Sequence, residues 1–202
     1  YSSECVPIPN VSRKIPGNEC YQTKNIAINY LTNNNIKNIL LVARWNYYTG
    51  SNDAGFIGDA DTRIFSKEES RVVFEQNLIE MVEMLNKQGV HITIMSQVPE
   101  HTNFNPRDVF YKAIRERTPP KFDRVSMSDH RNYNDFTDKI FKKLERDYGV
   151  EIINPEQFFC SDKEGCLFEL NNKILYRDAD HLNYTGAKEL EPLFEDYIDS
   201  LK

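Results

Sequence analysis

Ile39-Leu40-Leu41-Val42-Ala43 is an unbroken apolar run of strand length. A half-buried strand alternates and an amphipathic helix repeats near 3.6 residues, so a run of this kind reads as a strand buried on both faces, as in a parallel sheet. Downstream, Ser66 and Glu69 have the spacing of a capping box. Phe74, Leu78, Met81, Val82 and Leu85 follow at helical spacing, and Gly89 ends the helix. Val90 to Met95 is the next strand, stopped by Pro99. A polar connection carrying Pro106, Pro119 and Pro120 is interrupted by a short helical pattern from Val109 to Ile114. Asn134 to Tyr148 is a further helix with Phe136, Ile140 and Leu144 on one face, and Val150 to Ile153 a third strand. Leu190, Leu193, Phe194, Tyr197 and Leu201 form the stripe of a last helix, with Asn183 or Thr185 as its cap. Upstream, Asn25 to Thr32 fits a helix or an extended segment equally well. Strands alternating with long crossovers predict an α/β sandwich with a mostly parallel sheet, as a single domain over 1–202. Ligands of such sheets sit at the C-terminal strand ends, which directs attention to the residues after Ala43, after Met95 and in the loop carrying Asp178.

The 202 residues are 40% hydrophobic and 12% aromatic, enough for a folded core and too much for a disordered chain. The formal charge of −6, with scattered Lys and Arg, argues against nucleic acid as a partner. No apolar run approaches the roughly 20 residues that span a bilayer, and no stretch has the form of a secretory signal, so membrane attachment is expected from sequence outside 1–202. The four cysteines fall as two close pairs, Cys5 with Cys20 and Cys160 with Cys166. That arrangement suggests two disulfides and an oxidising compartment, against four reduced thiols or, more weakly, a zinc site. Closing a ~15-residue loop is worth about 3 kcal/mol in the chain-entropy account.

Leu175-Tyr176-Arg177-Asp178-Ala179-Asp180-His181-Leu182-Asn183 places a carboxylate three residues before a histidine, at the mouth of the final helix. Such a pair serves nucleophilic catalysis: the imidazole takes the nucleophile's proton and the carboxylate fixes its tautomer. The plain alternative is a solvated turn before a helix. These three side chains could also ligate a metal, but no second ligand cluster accompanies them, and no metal is expected. His91 opens a strand and reads as structural; His101 and His130 fall in polar loops. Trp45, Tyr47 and Tyr48 lead into a Gly-rich polar loop, Thr49 to Gly58, whose aromatic and hydrogen-bonding groups suit a sugar ring. A surface loop with aromatics tucked beneath it fits the same residues.

The Asp178–His181 string is similar to the last motif block of the SGNH (GDSL-like) hydrolase superfamily. More closely, it resembles the SGNH domains fused behind membrane acyltransferase-3 domains in bacterial surface-polysaccharide O-acetyltransferases. Ser2-Ser3-Glu4-Cys5-Val6-Pro7 resembles that group's Ser-x-Cys-Pro-Pro segment, with Val6 departing from proline. Ile39 to Trp45 is similar to its strand ending in Ala-Arg-Trp, and Cys160 with Cys166 match a cysteine pair at the same place. The resemblance implies a three-layer α/β/α sandwich and makes His181 the general base and Asp178 its orienting acid, leaving Asp180 a solvated turn residue. The family's nucleophile stands in a Gly-Asp-Ser motif after its first strand. Here Gly58-Asp59-Ala60 is the nearest string and has no hydroxyl; the chain opens on Tyr1, so the serine and its strand are expected upstream. Many relatives carry a Gly-x-Asn-Asp motif where this chain has Ala43-Arg44-Trp45-Asn46. Arg44 or Asn46 could donate to an oxyanion, with Trp45 beside them, or Arg44 could form a structural ion pair over a core-filling Trp45.

By this resemblance the chain is the periplasmic-side domain of an inner-membrane O-acyltransferase. It would receive an acetyl group through a membrane acyltransferase-3 domain, with acetyl-CoA as ultimate donor and no cofactor bound by the domain itself. The group would pass by way of a serine ester to a hydroxyl of a surface glycan such as lipopolysaccharide O-antigen. A carbohydrate O-acetyl esterase with the same residues, or a non-catalytic glycan-binding module, are the rival readings.

Overall fold

The computed structural model describes residues 5–13, 20–51, 55–59, 65–102 and 104–202, excluding the side chains of 21–23, 51 and 106. Ser2, Ser3, Glu4, Asn52, Asp53, Ala54 and Ala60, which figure in the motifs above, lie outside them. The fold is α/β and forms two compact units, residues 1–97 with 133–153, and residues 98–132 with 154–202.

In the first unit, β1 (Val11–Arg13) pairs antiparallel with β3 (Ile57–Asp59), and β2 (Asn38–Val42), β4 (His91–Met95) and β5 (Glu151–Ile153) form a parallel sheet in the order β2-β4-β5. Ile39 faces Ile92 in register, and Ile94 faces Ile152. β4 is the central strand, with Ile92 and Ile94 fully buried. β2 corrects the expectation of burial on both faces. It is an outer strand among the described residues, and Val42 is 54% exposed. Helix α1 (Cys20–Asn33) settles the segment around Asn25 to Thr32 as helical. Helix α2 (Lys67–Lys87) starts as its capping box requires: Ser66 Oγ accepts from the Glu69 N–H at 3.1 Å. Its face of Val73, Phe74, Leu78, Met81, Val82 and Leu85 is buried in the core with Trp45, Ile92 and Ile94. Gly89 leaves the helix in the left-handed region at φ +69°.

Helix α3 (Pro106–Glu116) is longer than its apolar pattern, because Asn105 caps it and Pro106 opens it. Helix α4 (Met127–Tyr148) begins seven residues before Asn134. Ser126 Oγ accepts from the Asp129 N–H at 3.0 Å, and the turns that follow bury polar side chains, His130, Asn134 and Thr137, which an apolar period does not register.

In the second unit, the short helix α5 (Glu156–Phe159) leads into the hairpin β6 (Cys160–Ser161) and β7 (Gly165–Cys166), followed by the hairpin β8 (Glu169–Leu170) and β9 (Lys173–Ile174). The last helix is split into α6 (Tyr184–Glu189) and α7 (Glu191–Ser200). Pro192 has no N–H to continue a ladder from α6 and instead opens the second piece. Both expected disulfides are formed, Cys5–Cys20 and Cys160–Cys166, and no free cysteine remains among the described residues. Cys160 and Cys166 face each other in the β6–β7 ladder, so the bond ties a hairpin already set by its register.

Candidate active site

Residues 174–186 build the loop that carries Asp178 and His181. Its two ends are tied together. Tyr176 and Leu182 form an antiparallel bridge, Arg177 N–H donates to His181 O at 2.8 Å, and Asn183 N–H donates to Leu175 O at 2.9 Å. Asn183 then caps α6 by accepting from the Gly186 N–H at 3.0 Å. Gly186 packs so close to Leu175 that a Cβ there would lie 2.1 Å from its carbonyl oxygen, which is why the helix can start against the loop's own stem.

Inside the loop, Asp178 acts as an Asx turn. Its Oδ1 accepts from the backbone N–H of Asp180 at 3.2 Å and of His181 at 2.8 Å. The turn folds the His181 ring back onto the same oxygen, with Nδ1 2.9 Å from Asp178 Oδ1. The three-residue spacing is thus what a short chain needs to present a carboxylate to the imidazole that follows it. Burial works against ionisation of Asp178, but the hydrogen bonds from the His181 backbone, the His181 ring and Asp180 outweigh it and hold the carboxyl below its ordinary value. The His181 side chain is 60% exposed. With Nδ1 engaged by the carboxylate, Nε2 is the atom left for proton transfer.

Asp180 is not the solvated residue expected. Its side chain is only 13% exposed, against 37% for Asp178, and its Oδ2 lies 3.4 Å from His181 Nδ1. The loop tip is held down from outside: His101 N–H donates to Ala179 O at 2.7 Å, drawing in the residue between the two carboxylates.

His101 is likewise not in a polar loop environment. Its ring sits edge-on to Tyr176 at 4.7 Å and to Phe168 at 5.0 Å, and Phe104 and Phe122 pack on Phe168. Neither ring nitrogen makes a well-aligned hydrogen bond among the described residues. Burial pushes His101 down from an ordinary 6.5 to about 4; the carbonyls of Leu167 and Asp123 oppose that, and His130 adds to it. His130 lies within helix α4 rather than a loop, 3.4 Å from Glu156, and is also lowered, by burial first, with Glu156 opposing and Arg131 reinforcing.

These buried rings make stability depend on pH. The unfolded chain protonates His101 as pH falls through about 6.5, while the folded chain holds it neutral until about 4. Protons therefore favour unfolding across that window, and stability present above it is lost on acidification. His101 alone accounts for about 3 kcal/mol, and His130 acts in the same direction. Urea unfolding at pH 7 and pH 4.5 is expected to show the midpoint fall, with a flatter dependence in His101→Phe, which keeps the ring packing without the titration.

The residues proposed near an oxyanion belong to the first unit and follow β2. Trp45 is fully buried, its edge-to-face contacts are with Phe74 and Phe141, and its Nε1–H donates to Met95 O at 2.7 Å. Asn46 is 1% exposed. Its Nδ2 donates to Asn134 Oδ1, its Oδ1 accepts from the Thr137 hydroxyl at 3.1 Å, and its N–H donates to Gln97 Oε1 at 2.9 Å. Both side chains are thus committed to packing and internal polar pairing. Arg44 is partly exposed, its guanidinium over the Tyr47 ring at 5.1 Å, with Arg13 over the same ring at 5.3 Å. Tyr48 and Thr49 are buried, so among the described aromatics expected to meet a sugar Tyr47 and Phe56 keep part of their surface open. Among the described residues no helix is long and apolar enough to cross a membrane.

No curated protein sequence matches this one. Among solved structures, the periplasmic domain of the Salmonella ser. Paratyphi A lipopolysaccharide acetyltransferase is similar over 95% of this chain and 68% of its own, with a TM-score of 0.64 at 19% identity, which establishes a shared fold. A family profile described as "SGNH domain (fused to AT3 domains)" matches residues 1–196. Nearly the whole chain is covered, and it therefore belongs to the family of SGNH domains fused to AT3 domains.

Proposed function

We propose that this domain is the acyl-carrying module of a periplasmic O-acetyltransferase, and that His181 and Asp178 are its base and orienting acid. The observation that carries the reading is the 2.9 Å contact between His181 Nδ1 and Asp178 Oδ1 on an exposed, tied loop, in a chain of this family. In the first half-reaction His181 Nε2 takes the proton of a serine hydroxyl as the serine oxygen attacks the acetyl carbonyl. The donor's leaving group departs with that proton, and an acetyl-serine ester remains. In the second, His181 removes the proton of a glycan hydroxyl, whose oxygen attacks the ester; the serine oxygen leaves and recovers the proton. Residues 1–202 contain no Gly-Asp-Ser string, and the reading takes the nucleophile to be a serine outside them. The acetyl group would come from acetyl-CoA through the AT3 domain, and a cell-surface polysaccharide would be the acceptor.

The test is O-acetylation of surface polysaccharide in cells with and without the full-length gene product, read by NMR of the isolated polymer, alongside fluorophosphonate labelling of the protein and peptide mapping. Acetyl esters that depend on the gene, with label on a serine outside residues 1–202, are expected. Release of free acetate from an acetylated glycan in place of transfer would make the domain an esterase. A folded, full-length protein that neither labels nor alters the polymer would overturn the catalytic reading.

A further inference from the structure

We infer that Asp180 is a second positioning residue for the His181 imidazole, sharing the Nδ1 proton with Asp178. The inference rests on the reading of His181 as the base.

Two carboxylates converge on one ring nitrogen: Asp178 Oδ1 at 2.9 Å and Asp180 Oδ2 at 3.4 Å. They are not equivalent. Asp178 Oδ1 also accepts two backbone N–H groups, and Asp178 Oδ2 lies 3.4 Å from Arg177 Nε. Asp180 is the less exposed of the two, and solvent screens it less. Its place is fixed by the main chain, since His101 N–H holds the carbonyl of Ala179 immediately before it, and Arg177 N–H holds the carbonyl of His181 immediately after. A donor placed between two acceptors in this way is forked. The ring keeps the same tautomer and Nε2 the same direction when either acceptor is lost, and an imidazolium formed during proton transfer faces two negative charges in place of one. The Asp-x-Asp-His order suits this, because the main-chain ties on either side of Asp180 bring its carboxylate to the nitrogen that Asp178 also reaches.

The test is a double-mutant cycle in the full-length protein, measuring acetyl-ester cleavage for Asp178→Ala, Asp180→Ala, the pair together and His181→Ala. The downfield Nδ1 proton of His181 is observed by NMR in the same proteins. Asp180→Ala is expected to lower kcat roughly tenfold with KM unchanged, and Asp180→Asn, which can still accept, to recover part of it. Asp178→Ala should retain activity above that of the double variant, and the double variant should fall to the level of His181→Ala. The Nδ1 proton resonance should move in Asp180→Ala. Equal rates for Asp178→Ala and the double variant, with an unmoved Nδ1 proton in Asp180→Ala, would overturn the sharing. Wild-type activity in His181→Ala would instead overturn the base assignment. The Nδ1 resonance alone would then decide whether Asp180 holds the ring.

Discussion

His181→Ala is expected to reduce ester cleavage and acetyl transfer by the full-length protein by roughly 10⁴- to 10⁶-fold, while its melting temperature stays close to that of the parent. The size of the loss follows from the proposed role: with a base imidazole gone, neither the serine nor the acceptor hydroxyl would have a partner to take its proton, and loss of a triad histidine has costs of that order in serine hydrolases. The unchanged fold follows from placement. The side chain is 60% exposed, and the loop around it is tied by main-chain bonds, Arg177 N–H to His181 O and His101 N–H to Ala179 O, which survive the substitution. Rates from p-nitrophenyl acetate, set beside a circular dichroism melt, separate the two effects. Activity near the parent level would place the base elsewhere in the protein.

Trp45→Ala is expected to cost about 3–5 kcal/mol of stability through the cavity left behind, and about 1–3 kcal/mol more because the Met95 carbonyl loses its donor. The indole is fully buried, meets Phe74 and Phe141 edge to face, and spans from the end of β2 to the end of β4 through its 2.7 Å bond to Met95 O. Losses of this size rival the whole stability of a small domain, so the variant should be largely unfolded or recovered only as aggregate. Trp45→Phe separates the contributions. It keeps most of the ring contact and loses the hydrogen bond, and urea unfolding should place it between the parent and the alanine variant. A Trp45→Ala protein with the parent's unfolding midpoint would mean that the ring is not part of the core.

The contrast between these two residues shows where the sequence was readable. Trp45 follows an apolar run and Asp178 precedes a histidine by a spacing that one turn can close, so both belong to signals only a few residues long. Ser66 and Glu69, or Asn183 before α6, are legible for the same reason. The misplaced residues depend on partners far along the chain. β2 reads as a doubly buried strand because its composition matches β4, yet burial is set by how many strands flank it, and that is a property of the sheet. The start of α4 is hidden because its inward positions hold His130, Asn134 and Thr137, whose burial rests on partners such as Asn46 and Glu156. His101 reads as a loop residue until Phe104, Phe122, Phe168 and Tyr176 are brought around it. Asp180 reads as solvated until the His101 N–H draws down the loop tip.

The parallel pairing of β4 with β5 also sets a timetable for biogenesis. Thr93 on β4 bonds Glu151 on β5 across 58 positions of chain. At the ~5–20 residues per second of synthesis, the nascent sheet waits roughly 3–12 s for its third strand. Through that interval the backbone groups of β4 that pair with β5 have no partner strand, and long-range parallel pairing is slow even once it has emerged. A chain of this design is most vulnerable to misassembly while it is being made. Its yield should depend on chaperone supply during synthesis more than on the stability of the finished domain.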